Sequence, residues 1–403
     1  MRLLHTSDWH LGKDIGNLDR TQTYQEFLDW LLETIRSEGI DLLIVAGDVF
    51  DTTTPPHRIQ NLYYSFLARL PGTGCRHAVI TAGNHDSPSL ISAPASLLSQ
   101  MGIYAVGAAG DEEFVPIRNA DGTLAAVVAA VPYLRERDVF RGAMEQDEQA
   151  RNEALAAAIG RHYEELVQKA RTLMQDRRVP LIATGHLFIS GGMLDESVRK
   201  LYIGYLGNIP ASVFPQEIDY LALGHLHRPQ LVQGDERRAY CGSPIALDFS
   251  EAATEKSVRI VEFAEDCSCT VRTVPVPAFD RIETISGTAP EILARVEELV
   301  RLAQPVIVQV IHTGPSPQPT LAAQVQALTK ESPVQIVRTR DESLQRAYLQ
   351  GEDVNTLDIS ELTPQSVFSR RLDIASVPDE ERAELEKRFE IVLASMQQAD
   401  PQA

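Results

Sequence analysis

Cysteine is scarce in this chain: four in 403 residues, Cys75, Cys241, Cys267 and Cys269, with no C-x-x-C spacing among them. A disulfide framework is therefore not what holds the fold together. Cys267 and Cys269 would share one face of a strand and could form half of a zinc site, but the preferred reading is four ordinary reduced cysteines. Long apolar runs are missing too. The longest, Leu124 to Leu134, is too short to span a bilayer and contains Pro132, so no membrane is expected among the partners. The opening MRLLHTSDWH has no apolar export core and places Asp8 inside it, so the expected compartment is the cytoplasm. Basic residues are in deficit, with 37 Lys and Arg against 56 Asp and Glu, a net charge of −19. Residues 1–280 carry 25 basic and 37 acidic side chains and residues 281–403 carry 12 and 19, so the acidity is spread along the chain. That argues against a broad basic surface gripping nucleic acid. There is no G-x-x-x-x-G-K-[ST] loop, internal repeat or low-complexity tract.

What is present is globular: 44% of residues are apolar and 23% charged. The length predicts two domains, or one large domain with an appendage. Short apolar strand patterns alternate with amphipathic helices. Strands are predicted over 2–6, 42–46, 78–82, 125–131, 181–184 and 220–223. Helices are predicted over 24–35, 59–70 and 147–174. After Gly224 come short strands with no helix between them, at 230–232, 238–241, 258–263 and 270–276. The pattern predicts a layered α/β sandwich with mixed sheets. A composition shift near 275–279 marks a boundary, followed by a small βαβ-type unit: helix 291–302, strand 306–311, helix 321–329, strand 334–337. Two further helical patterns close the chain. One begins at Thr363–Pro364, and the other runs over 378–396 with Leu385, Phe389, Val392, Leu393 and Met396 on one stripe.

Metal-capable residues recur directly after predicted strands. Asp8 and His10 follow the first (SDWHLG), Asp48 the second (AGDVFD), and Asn84, His85 and Asp86 the third (AGNHDS). His186 follows another (ATGHLF), and His225 and His227 the last of the set (LGHLHRP). Strand C-terminal ends in an open α/β sheet converge on one crevice, which is where ligands bind. Each fragment alone is weak, since an Asx at a strand end is commonly a turn former and a lone His is commonly structural. Five such fragments together point to a metal site. His57, His77, His162 and His312 read as ordinary surface or loop residues.

Imidazole, carboxylate and amide ligands without thiolate suit Mn, Fe or Zn. Seven ligands are too many for one ion and suit two sharing a carboxylate. Paired ions roughly 3.5–4 Å apart are a recurring solution for phosphate-ester hydrolysis. Two divalent ions against Asp8 and Asp48 leave the filled site net positive, an anion site inside an acidic protein.

The order DWH, GDVFD, GNHD, GH, GHLH resembles the calcineurin-like metallophosphoesterases. The fuller wording HTSDWHLGK, IVAGDVFDT, AGNHDS, ATGHL, IGYLG, YLALGHLHRPQ and YCGSPI is similar to that family's bacterial DNA nucleases, over nearly the whole chain. The resemblance implies a four-layer sandwich of two mixed sheets flanked by helices over residues 1–278. It further implies an α/β capping domain that contacts DNA over 279–342, and helices over 343–403 that dock on a coiled-coil ATPase partner. It implies one Mn²⁺ on Asp8, His10, Asp48 and His227 and a second on Asp48, Asn84, His186 and His225. His85 would stabilise the transition state or protonate the leaving oxygen, with Asp86 orienting its ring. Some relatives carry a histidine where this chain has Asp51, which leaves no second catalytic histidine to name. Water would be the nucleophile, with no covalent enzyme intermediate.

The activity implied is Mn-dependent hydrolysis of DNA ends: exonucleolytic (3′–5′) on duplex, and endonucleolytic on single strands and hairpins. ATP dependence would come from the partner, since the chain has no phosphate loop of its own. Dimerisation is expected through helices 24–35 and 57–70, and association with the nucleoid when the protein acts. A small-molecule phosphodiesterase or phosphatase with the same dimetal centre is the alternative. Against it stand some 120 residues beyond the core, which a small substrate does not need. A non-catalytic DNA-end scaffold is a third reading, opposed by the full ligand set.

Overall fold

The structure, a computed structural model, describes residues 1–139, 148–175, 177–189 and 209–343, with Phe368, Leu372, Arg382, Leu385, Arg388 and Phe389 of the tail. The chain divides into two compact units, residues 1–312 with 318–340, and residues 313–317 with 341–403.

The first unit holds two six-stranded sheets. One is built from β1 (Arg2–Thr6), β2 (Leu42–Ala46), β3 (His77–Thr81) and β4 (Ile103–Val106), all parallel. The other contains β5 (Phe114–Arg118), β6 (Leu124–Ala129), β7 (Leu181–His186), β8 (Tyr220–Gly224), β9 (Gln230–Val232) and β10 (Asp235–Tyr240), in the order β5-β6-β7-β8-β10-β9. The chain then returns to the first sheet: β11 (Ser257–Phe263) pairs antiparallel with β1, and β12 (Cys269–Pro275) with β11. The first sheet therefore reads β12-β11-β1-β2-β3-β4.

The apolar runs explain the layering. β2 (LLIVA) is buried along its whole length, and its period of two sends alternate side chains to opposite faces. Leu43 and Val45 meet α1 (Thr21–Glu38) and α2 (His57–Arg69) through Phe27, Leu31 and Phe66. Leu42, Ile44 and Ala46 enter the seam between the sheets, against Val128, Ile182, Tyr220 and Ala222. β8 alternates likewise: Tyr220 and Ala222 join the seam, while Leu221 and Leu223 pack against Tyr163 and Val167 of α3 (Glu148–Met174). The result is helix, sheet, sheet, helix, the four-layer sandwich that the motifs implied.

Three strands escaped the sequence pattern. β4 is only four residues long, and β5 carries Pro116, tolerated because β5 is an edge strand. The third is β13 (Ile282–Gly287), where only Ile285 is buried. With β14 (Val306–His312), β15 (Val334–Asp341), α4 (Ala289–Leu302) and α5 (Leu321–Thr329), it makes the small unit β-α-β-α-β rather than βαβ. α4 opens on a Thr288–Glu291 capping box with Pro290 in its first turn. Ile292, Val296 and Leu299 of α4 pack on Ile285, Val308 and Val310.

His312, read from sequence as a surface or loop residue, is buried at the end of β14, and His162 pairs with Glu113. All four cysteines are free. Among the described residues no group of candidate metal ligands includes a cysteine, and no helix is long and apolar enough to cross a membrane. Most of the two tail patterns lies outside the described residues; Phe368 and Phe389 are helical, and their rings stack with centroids 4.0 Å apart.

Candidate metal centre

Every candidate ligand sits where a parallel strand ends. The first sheet delivers Asp8 and His10 beyond β1, Asp48 beyond β2 and Asn84 beyond β3. The second delivers His186 as the last residue of β7, and His225 and His227 beyond β8. The loops turn so sharply that Asp8, His10, Asp48 and His225 all adopt left-handed backbone, with φ of 51°, 44°, 48° and 94°. Each such residue costs on the order of 1–3 kcal/mol, and such strain gathers at functional sites. Two glycines make room. Gly47 has φ +85°, and a Cβ there would lie 2.1 Å from His186 Nδ1; a Cβ on Gly83 would lie 2.1 Å from Asp48 Oδ1 and 2.3 Å from Asp48 N.

The sequence-selected side chains meet. Asp8, His10 and His227 form one buried group, and Asp8, Asp48 and His186 another, with ligand atoms in each group within 4.8 Å of one another. Asp48 Oδ2 lies between them, 3.4 Å from His10 Nε2 and 3.2 Å from His186 Nε2. Asn84 Oδ1 faces His186 Nε2 and His225 Nδ1, each at 3.0 Å. The carboxylates are also held from behind: His225 N–H donates to Asp8 Oδ1 (2.8 Å), Ser7 Oγ to Asp8 Oδ2 (2.6 Å), and His85 N–H to Asp48 Oδ1 (2.8 Å).

The outward ring nitrogens are anchored as well. His186 Nδ1 is 3.0 Å from the Ala46 carbonyl oxygen, His10 Nδ1 is 3.2 Å from Asp51 Oδ1, and His227 Nδ1 is 2.9 Å from Glu251 Oε1. Such partners hold the proton on Nδ1 and leave Nε2 as a ligand. His10 Nε2 is buried and makes no hydrogen bond. A buried nitrogen without a hydrogen bond, among carboxylate, amide and imidazole donors and no thiolate, fits a divalent cation such as Mn, Fe or Zn.

Charge is arranged accordingly. Burial would raise the Asp48 carboxyl, but His186 and His10 beside it hold it well below the usual carboxylate range. His186, despite burial, is pushed up to about 9 by Asp48, so the ring carries a proton that a cation would displace. Burial and the neighbouring His186 push His225 down to about 3, which leaves it neutral and ligand-ready.

His85 stands beside the cluster, its ring 4.8 Å from that of His10, with Nδ1 2.9 Å from the Asp51 carbonyl oxygen. This corrects the role expected for Asp86. The Asp86 carboxylate is buried and accepts the N–H groups of Gly83 (2.8 Å), Val49 (3.0 Å) and Phe50 (2.9 Å), so it ties the second and third ligand loops together. Asp51, not Asp86, meets the His85 ring. Glu251 and the orienting role of Asp51 were missed. Glu251 follows no strand and has no histidine near it in sequence, so strand-end spacing carries no signal for it.

Residues 1–229 match the calcineurin-like phosphoesterase family, and residues 278–375 match the type 5 capsule protein repressor C-terminal domain, also described as the SbcD C-terminal domain. The chain is 37% identical over 400 residues to SbcD of the nuclease SbcCD from Escherichia coli (strain K12), covering 98% of each. It belongs to the SbcD family of calcineurin-like phosphoesterases. The SbcD-family relative from Rhodobacter capsulatus is 35% identical over 314 residues, covering 74% of this chain and 76% of that one. That from Bacillus subtilis (strain 168) is 36% identical over 265 residues, covering 65% and 66%. With this family and this cluster, the SbcD-type chain is a metal-dependent phosphodiester hydrolase.

Proposed function

We propose that the chain is a two-ion DNA nuclease. The reading rests on one observation above all: strand ends from two separate sheets converge on a buried donor cluster with Asp48 Oδ2 between its halves. One cation is held by Asp8, His10, Asp48 and His227, the other by Asp48, Asn84, His186 and His225, and Mn²⁺ suits this donor set. Bound divalent ions supply an activated water and neutralise phosphoryl oxygens. The protein's own groups do the rest. Asp48 and Asp8, pinned by backbone N–H groups, fix where positive charge accumulates. His85, its Nδ1 proton on the Asp51 carbonyl, keeps Nε2 for a second proton, which it shares with the departing sugar oxygen. A 3′-alkoxide is a poor leaving group and gains from a positioned acid. Asp86 acts through the backbone it ties down and touches no reacting atom.

The domain reading is a phosphoesterase domain over 1–278, a DNA-contacting cap over 279–342 and docking helices over 343–403. The relatives' name, with its reference to SbcCD, supports SbcC, a coiled-coil ATPase, as partner. The motif resemblance extends the proposal to cytoplasmic work on DNA ends in repair, recombination and replication, ATP-dependent on duplex (3′–5′) and endonucleolytic on single strands and hairpins, with the chain as a homodimer.

The test is nucleotide release from linear duplex and cutting of hairpins by the full chain with Mn²⁺, with and without SbcC and ATP, beside turnover of a chromogenic phosphodiester. Cleavage of DNA is expected. Turnover of the small ester with no cut in any DNA would overturn the nuclease reading in favour of a small-molecule phosphodiesterase.

A further inference from the structure

Behind His227 lies an ion pair that phosphodiester chemistry does not itself require. Glu251 is 1% exposed and hydrogen-bonded through both oxygens. Oε1 lies 2.9 Å from His227 Nδ1, while Oε2 accepts from Lys256 Nζ (2.7 Å), Ser243 Oγ (3.0 Å) and Leu247 N (3.1 Å). Lys256 Nζ donates also to Ser243 Oγ (2.7 Å) and the His227 carbonyl oxygen (3.3 Å), so three acceptors surround its ammonium. A carboxylate can only accept here, so the facing Nδ1 carries the proton and Nε2 keeps its lone pair for the Asp8–His10 side. His186 has the same arrangement with a difference: the neutral Ala46 carbonyl backs its Nδ1. A carboxylate makes the ligand more basic than a carbonyl does. Packing alone does not call for the pair, because buried ion pairs add little over apolar residues of similar volume.

We propose that Glu251, neutralised by Lys256 and fixed by Ser243, is a positioning residue: it sets the tautomer and orientation of His227, and with them the cation affinity of the Asp8–His10–Asp48–His227 position. The affinity clause rests on the two-ion reading above; the tautomer clause does not.

The test replaces the pair by apolar groups of similar size, Glu251→Leu with Lys256→Met, in the full chain. Thermal unfolding reports the fold. Long-range ¹H–¹⁵N spectra of the metal-free protein report the His227 tautomer, and calorimetric Mn²⁺ titration reports each binding step. Wild type is expected to hold the proton on His227 Nδ1. The double variant is expected to lose that preference and to weaken one Mn²⁺ step by about 10–100-fold, leaving the other nearly unchanged. A folded double variant with the wild-type tautomer and both affinities intact would overturn the proposal. Should the apolar pair not fold, Glu251→Gln with Lys256→Met carries the test. Its neutral acceptor should keep the tautomer but weaken one Mn²⁺ step, and unchanged uptake overturns the proposal. A wild type that takes up fewer than two Mn²⁺ removes the two-ion reading, while the tautomer comparison still decides the role of Glu251.

Discussion

Asp51 shows how much one residue of the centre can do. Its carboxylate faces His10 Nδ1 and Lys13 Nζ, each at 3.2 Å, while its carbonyl oxygen takes the Nδ1 proton of His85. The ring of a proposed ligand and the proposed acid are thereby set by one residue. The His85 ring is the group to remove first. His85→Ala should lower DNA cleavage by about 10²–10⁴-fold, the usual yield of a positioned acid, with Mn²⁺ uptake unchanged. Cleavage at the wild-type rate in a metal-loaded His85→Ala enzyme would show the leaving oxygen needs no proton from this ring. Gly83 offers a steric test. A methyl group there meets Asp48 backbone and carboxylate together, so relief must come from the loop itself. Gly83→Ala should cost about 1–3 kcal/mol in chemical denaturation and weaken Mn²⁺ binding in calorimetry. A variant normal in both would mean that the loop is softer than this packing allows.

At the scale of elements, the candidate ligands were legible because each follows a run buried on both faces. β1, β2 and β7 announce their ends, and Asp8, Asp48 and His186 stand where those runs stop. The supporting residues were not legible for the converse reason. Glu251 enters from a short turn 24 residues beyond its partner His227, and Asp86 is recognisable as a motif residue while its hydrogen bonds to the loop beyond β2 are not. Edge strand β5 alternates in burial but carries Pro116 at its middle, and half-exposed β13 buries only Ile285, so neither reads as a strand in the sequence.

α3 provides a prediction of its own. His162 Nε2 lies 2.9 Å from Glu113 Oε1, whose other oxygen accepts the Gly110 N–H; Glu165 and Lys169 are the other charged groups facing the ring. Burial alone would lower the His162 pKa, but the Glu113 carboxylate outweighs it and the net shift is upward. A histidine raised on folding stabilises fully below its unfolded pKa, near 6.5, and loses that contribution as pH climbs through the folded value. His162→Gln should therefore cost on the order of 1 kcal/mol at pH 6, and less as pH climbs above the raised folded value, in paired urea melts. A penalty independent of pH would mean that the ring acts by packing alone.

For the whole molecule, the centre draws on both sheets, so a cation bound there joins them. Chelation should lower the unfolding temperature of the first unit, and Mn²⁺ should restore it by mass action, worth about 2.7 kcal/mol at a hundredfold excess over Kd. A melting curve indifferent to EDTA would show that the sheets hold together without help. The net charge of −19 bears on substrate binding. Local cations reverse the sign where phosphate must sit, while the rest of the surface repels a polyanion. The chain alone should bind DNA weakly, with affinity falling steeply between 50 and 200 mM salt in fluorescence anisotropy. Tight, salt-insensitive binding would point to a basic surface that the composition does not suggest.

The return of β11 to the side of β1 also sets a timetable for synthesis. Strands β1 to β4 leave the ribosome early, yet β1 keeps a bare edge until residues 257–263 arrive to pair with it. At common elongation rates of about 5–20 residues per second, that edge waits roughly 13–50 s, a template for any stray strand nearby. His225 and His227, which complete the proposed ligand set, emerge shortly before β11 does. Nascent chains therefore pass through a long interval in which half of the sandwich exists and can neither close nor take up metal. Shielding of the waiting edge during that interval would favour its correct pairing.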